Sequence, residues 1–156
     1  MTTDTHDAPR ITLLRHGHAV DHCPSGDFER ALDDRGQSEL ERTALELQAL
    51  PRLPTLILAS PARRTRESAA VLQRVWARCA ASERDPAPAV QVELRFEPKL
   101  YLASAETLQA IIALHAPLQP HLLIVGHNPG LSDLLQQFDV SRALGTGDWH
   151  SLSRLG

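Results

Sequence analysis

Short apolar runs alternate along this chain with longer segments whose apolar residues recur at helical spacing. The runs are Ile11 to Leu14, Leu56 to Ala59 and Leu122 to Val125, and each is too short to be a helix of typical length. A run that is apolar at every position is typical of a strand buried on both faces, as in a parallel sheet covered by helices. The alternation therefore predicts an α/β domain with a largely parallel sheet.

The segments between the runs predict helices. In chain order these span about Gln37 to Leu50, the segment carrying Ala69 to Cys79, Ser104 to His115, and the stretch that follows Gly130 and ends near Phe138. Val90, Val92 and Leu94 alternate with polar residues and predict a further strand. Beyond Phe138 the pattern weakens.

Composition indicates one globular domain. The 156 residues are 42% apolar and 22% charged, close to the average for soluble globular proteins. The net charge of −3 argues against a protein that binds nucleic acid through the electrostatic field of its net charge. The first ten residues are polar, and the apolar run after them is too short for a signal peptide or a membrane span. We therefore expect a flexible tail over residues 1–9, one domain over 10–156, and a cytoplasmic protein without a membrane or nucleic-acid partner.

Polar clusters directly follow three of the predicted strands. They are Arg15, His16 and Gly17; Ser60, Pro61, Arg63 and Arg64; and Gly126, His127, Asn128 and Pro129. In open α/β sheets ligands bind outside the carboxyl ends of the strands, so these clusters can converge. Each alone is an ordinary turn or helix start, and it is the combination of all three that indicates a site.

A pocket built from two arginines and two histidines favours a phosphate group. Guanidinium groups match phosphate oxygens with paired hydrogen bonds and keep their charge near neutral pH. Histidine adds a nucleophilic nitrogen and a donor that titrates near pH 6.5. Such a pocket can therefore catalyse a reaction as well as bind an anion.

Four segments in this order resemble the histidine phosphatase superfamily. They are ITLLRHG, LDDRG, ASPARRTRES and LLIVGHNPGLSDLL, and the resemblance is strongest with the SixA-like phosphohistidine phosphatases. It implies a single-domain, three-layer α/β/α fold of the phosphoglycerate mutase type, with a mostly parallel central sheet.

The resemblance also implies roles for individual residues. His16 would be the nucleophile that forms a covalent phosphohistidine, Arg15 and Arg64 would hold phosphate oxygens, and His127 would stabilise the transition state. Gly17 and Asn128 would contact substrate. No cofactor and no metal is expected, because the arginines and histidines supply the charge.

The acid that protonates the leaving group is an open question. The acid phosphatase branch has an aspartate after the second histidine, where this chain has Asn128. Glu97 is a possible proton donor by comparison with the mutase branch. The alternative is that Glu97 only structures its loop. Imidazole leaves phosphorus more readily than an alkoxide. A pocket that lacks a strong proton donor therefore favours a phosphohistidine substrate.

Three functions remain as alternatives. The first is a phosphatase acting on phosphohistidine in a signalling or phosphotransfer protein; the others are a phosphomonoesterase for a small metabolite and a noncatalytic phosphate-binding module. His18 is expected to be a bystander. The segment after Leu135 is expected to be short for the family, with a truncated helix or a missing edge strand that leaves part of the sheet uncovered.

Overall fold

Three strands lie side by side at the centre of one sheet, and a further strand flanks them on each side. The computed structural model describes residues 10–83 and 91–152. In chain order its elements are β1 (Arg10–Arg15), α1 (Asp34–Gln48), β2 (Leu56–Ala59), α2 (Arg63–Ala81), β3 (Glu93–Phe96), α3 (Ala105–His115), β4 (His121–Gly126), α4 (Gly130–Gln137) and β5 (Trp149–Leu152).

The strand order is β3-β2-β4-β1-β5, which places β4 in the middle. β4 pairs in parallel with β1 on one side and with β2 on the other, and β2 pairs in parallel with β3. Every residue of β4 is buried, as expected of a strand covered on both faces. Among the strands of the described residues, only β5 runs antiparallel, and it lies beside β1. The mostly parallel sheet predicted from the apolar runs is confirmed.

Helices cover both faces of this sheet. Alternate residues along a strand point to opposite faces, so Leu14 packs in one core with residues of α1 and α2, whereas Leu13 packs in the other with residues of α3 and α4. The predicted three-layer α/β/α architecture is therefore confirmed.

Two element boundaries differ from the sequence expectation. α1 begins at Asp34, three residues earlier than predicted, because the Asp33 side chain caps it by accepting from the Gly36 amide. The apolar periodicity, on which the prediction relied, starts only later. β3 begins at Glu93, after most of the predicted alternation, and Val90 lies outside the described residues.

The C-terminal segment forms an edge strand, where we expected either a truncated helix or a missing edge strand. β5 pairs with β1 over four residue pairs, from Ile11 with Leu152 to Leu14 with Trp149, so this side of the sheet is extended. The predicted tail over residues 1–9 lies outside the described residues. None of the helices in the described ranges is long and apolar enough to cross a membrane.

Candidate active site

The carboxyl ends of the three central strands deliver the predicted site residues to one place. Arg15 ends β1 and His16 follows it, His127 follows β4, and Arg64 lies in the first turn of α2, just after β2. The rings of His16 and His127 lie 5.3 Å apart between centroids. These four side chains line one pocket of about 330 Å³.

Arg64 contacts both histidines. Its side chain is only 3% exposed, and its Nε lies 3.3 Å from His16 Nε2 while its Nη2 lies 3.3 Å from His127 Nδ1. The other side of the guanidinium donates to Asp27, at 2.8 Å to the backbone carbonyl and 3.1 Å to a carboxylate oxygen. A buried guanidinium needs such partners because an unpaired buried charge is costly.

The hydrogen bonds of His16 define its tautomer. Nδ1 lies 2.7 Å from the carbonyl oxygen of Gly17, which can only accept, so Nδ1 carries the proton. Nε2 is then unprotonated, and its lone pair accepts from Arg64 on the pocket side. Burial, together with the nearby arginine charges, lowers the pKa of His16 to about 4. At neutral pH the ring is therefore a neutral imidazole with an available nucleophilic nitrogen.

His127 is held as a neutral ring in the same way. Burial lowers its pKa to about 3, and the charge of Arg64 contributes in the same direction. Because Arg64 only donates, Nδ1 accepts, and Nε2–H donates to the Ser60 hydroxyl at 2.8 Å. The ring also packs edge-on against Tyr101, with centroids 5.5 Å apart.

Arg15 is fixed by the segment that leads into β5. Its Nη1 donates to the Leu144 carbonyl at 3.1 Å, and the same oxygen accepts from the Asn128 amide at 2.7 Å. Thr146, from the same segment, lines the pocket. Arg15 Nε is buried and has no hydrogen-bond partner among the described residues, which leaves a donor available in this part of the site.

Other predicted residues have different surroundings. Gly17 donates its amide to Ser68 at 3.1 Å, and a Cβ on it would lie 2.3 Å from Leu40, so its position fits close packing better than substrate contact. Asn128 lines the pocket, but its carbonyl accepts from Ser132 in α4 and its amide is bonded to Leu144.

The structure does not bring Glu97 to this pocket. It lines a different surface cavity, and its carboxylate accepts from the Lys99 amide at 3.0 Å, at the start of a short 3-10 turn. This contact structures the loop, which was the alternative role considered for Glu97. His18, which we expected to be a bystander, does line the pocket.

Sequence reasoning missed Asp27, Tyr101 and Thr146. Tyr101 donates to the Asp27 carboxylate at 2.6 Å, and this bond, with those from Arg30 and Arg64, holds the pKa of Asp27 far below its usual range. These residues lie in short 3-10 turns and loops without apolar periodicity, so no local pattern marked them. Asp27, Tyr101 and Thr146 are identified as site residues only by the tertiary structure, which places their segments beside the carboxyl ends of the strands.

The charge balance of the pocket favours an anion. Arg15, Arg30 and Arg64 line it against Asp21 and Asp27. A phosphoryl group placed among the arginines would lie beside the unprotonated Nε2 of His16, whose lone pair accepts from Arg64 in this arrangement. No group of three or more metal-ligating side chains occurs in the two ranges that the structure covers.

Comparison of the sequence with known proteins gives one curated relative. No family model matches the chain. An uncharacterized chloroplastic protein of Arabidopsis thaliana is 32% identical over 129 residues, which cover 78% of this chain. The chain spans 55% of the length of that relative.

Comparison of the structure gives extensive similarity to solved proteins. A candidate phosphohistidine phosphatase SixA from Agrobacterium tumefaciens superimposes with a TM-score of 0.75 and 26% identity, covering 92% of this chain and 90% of the other. The protein histidine phosphatase SixA in complex with tungstate has a TM-score of 0.73 and 18% identity, covering 91% and 86%. The second similarity concerns the fold alone, whereas the first also has sequence identity over nearly the whole of both chains.

Proposed function

Because this chain belongs to the histidine phosphatase superfamily, in its SixA-like branch, we propose that it is a phosphatase that transfers a phosphoryl group to Nε2 of His16. The observation that carries the proposal is the state of that atom. Nδ1 is occupied by the Gly17 carbonyl, and Nε2 is an unprotonated nitrogen facing a buried arginine. That is the state a nucleophile needs before it attacks phosphorus.

The surrounding side chains supply the electrostatics of the reaction. Arg15 and Arg64 would bind the phosphoryl oxygens and neutralise the charge that develops on them. Arg64 donates to Asp27 in the present arrangement, so a bound phosphoryl group would compete with that carboxylate for the guanidinium. The proposed chemistry requires no metal ion.

His127 becomes a donor through a change of tautomer. The Ser60 hydroxyl, 2.8 Å from Nε2, can donate as well as accept. When it donates to Nε2, the proton of His127 resides on Nδ1, the nitrogen that faces Arg64. His127 can then stabilise a phosphoryl oxygen while remaining neutral, in keeping with its lowered pKa.

The substrate that we propose is phosphohistidine on a signalling or phosphotransfer protein. Neither carboxylic acid considered from the sequence is in place: Asn128 occupies one position, and Glu97 lies outside the pocket. Asp27 is held ionised by Tyr101 and the arginines, which makes it a poor proton donor. A pocket of this kind suits a leaving group such as imidazole better than an alkoxide.

The test is to trap the phosphoenzyme. Incubation with a phosphohistidine-bearing protein should give acid-labile label on His16, mapped by mass spectrometry, and His16→Ala should abolish both label and turnover. Glu97→Gln is the matched control and should retain both, because Glu97 lies at another cavity. Turnover should also persist in the presence of a chelator.

The outcomes separate the alternatives. Faster turnover of sugar or nucleotide phosphates than of phosphohistidine would identify a metabolite phosphomonoesterase with the same nucleophile. Phosphate binding by calorimetry without any turnover would identify a noncatalytic module. Label on a residue other than His16, or activity that survives His16→Ala, would overturn the mechanism.

A further inference from the structure

His18 lines the same pocket as His16 and is paired with a carboxylate. Its Nδ1 is hydrogen-bonded to Asp33 Oδ2, and its side chain is 33% exposed. It therefore lies where both substrate and solvent can reach it. This combination of pairing and access is what a proton-transfer group requires.

The backbone around His18 is rigid. The Asp33 amide donates to the His18 carbonyl at 3.1 Å, and the Val20 amide donates to Ala31 at 2.9 Å, so the strand exit is paired with the approach to α1. A Cβ on Gly36 would lie 2.1 Å from the His18 carbonyl oxygen, which shows how closely α1 packs here. Asp33 is itself fixed as the cap of α1. The ring of His18 thus projects from a fixed base.

The contact with Asp33 also assigns the ring nitrogens. An ionised carboxylate only accepts, so Nδ1 carries a proton. Nε2 is then the nitrogen that can interact with substrate or solvent. Nε2 has no hydrogen-bond partner within the described part of the chain. The charged groups that share the pocket with His18 are Arg15, Arg30, Arg64, Asp21 and Asp27.

We propose that His18 is the proton donor to the leaving group, with Asp33 as its positioning residue. The inference rests on the proposed function, because it requires the phosphoryl transfer to His16. It assigns to a histidine the role that Glu97, which lies outside the pocket, and Asp27, which is held ionised, do not fill.

The two half-reactions balance with this assignment. In the first, His16 Nε2 bonds to phosphorus, the P–N bond of the substrate breaks, and the leaving imidazole takes the Nε2 proton of His18. In the second, water attacks phosphorus, gives a proton to the now neutral His18, and the bond to His16 breaks. Inorganic phosphate leaves, and His18 is again protonated on both nitrogens.

The test uses substrates that differ only in their need for a proton. Phenyl phosphate has a poor leaving group and 2,4-dinitrophenyl phosphate a good one, and kcat/KM reports phosphorylation alone in a two-step mechanism. His18→Ala should lower kcat/KM about 100-fold or more for phenyl phosphate, by less for phosphohistidine because its imidazole leaves more readily, and by less than about threefold for the dinitrophenyl ester. Added imidazole should restore much of the loss.

Two further variants control for structure. His22→Ala removes an exposed histidine of the same loop and should leave all three rates unchanged. Asp33→Asn retains a good helix cap but not the carboxylate, so it should lower the phenyl phosphate rate about tenfold while the dinitrophenyl rate stays near that of the wild type.

Equal losses for both aryl phosphates, no loss for either, or a failure of imidazole to rescue His18→Ala would overturn the role of His18. These results are distinct from a failure of the proposed function. In that case the wild-type protein itself would show neither turnover nor a phosphorylated His16.

Discussion

Two buried neutral histidines should make the stability of this protein fall as the pH falls. Burial lowers the pKa of His16 to about 4 and that of His127 to about 3. In the unfolded chain both return to about 6.5. Between these values the unfolded state binds more protons than the folded state, so the free energy of unfolding increases with pH. The full stability is present above about pH 6.5 and is lost on acidification towards the folded-state pKa values.

The magnitude follows from the size of the shifts. At about pH 5, some 1.5 units below the unfolded pKa, each histidine lowers the free energy of unfolding by about 2 kcal/mol. The pair therefore contributes about 4 kcal/mol, a large part of the 5 to 15 kcal/mol that is typical of a domain. Both side chains are more than nine-tenths buried, so solvent screening reduces this little.

The assay is urea unfolding at about pH 7 and about pH 5, for the wild type and for the double variant His16→Gln, His127→Gln. The wild type should lose about 4 kcal/mol more than the double variant over this interval. His121, a further buried histidine with a lowered pKa, is present in both proteins, so its contribution cancels. An equal loss in the two proteins would refute the reasoning, since it would mean that His16 and His127 titrate normally in the fold.

Two other predictions concern binding and packing. Asp27→Asn removes the carboxylate that competes with phosphate for Arg64, so orthophosphate should bind about tenfold more tightly in calorimetry, a change of about 1.4 kcal/mol in binding free energy. Unchanged or weaker binding in that variant would show that Asp27 does not compete. Leu123→Ala in the fully buried β4 should lower the free energy of unfolding by about 2 to 5 kcal/mol in urea titrations. Leu114 is 69% exposed, so Leu114→Ala should change this free energy by less than about 0.5 kcal/mol. Comparable losses at the two positions would contradict the burial of β4.

The central strands and their site residues were predictable because local patterns mark them. The apolar run Leu56 to Ala59 coincides with β2, and the resemblance to the histidine phosphatase superfamily predicted from four motifs is confirmed by the structural comparisons. These features depend on burial on both faces and on residues that directly follow a strand, both of which are visible in a short window of sequence.

The edges of the sheet and the rim of the pocket were not predictable in this way. β3 has mostly exposed side chains, and only Leu152 in β5 is buried, so neither strand has a strong apolar pattern. Asp27 reaches Arg64 from a loop 37 residues earlier in the chain, through a contact set only by tertiary structure. The roles of the site residues and the cytoplasmic location stay predictions.

The central position of β4 determines how the pocket can come apart. β4 is bonded on both sides, and the strands it joins hold Arg15 on one side and the start of α2 on the other. Amide protons of β4 should therefore exchange with solvent only through global unfolding. Their exchange should be slower than that of β3 and β5. Fraying of β3 would leave the nucleophile and both its arginines in register, whereas loss of β4 would disperse all of them at once. Opening of the sheet through β4 should thus abolish the catalytic centre as a whole.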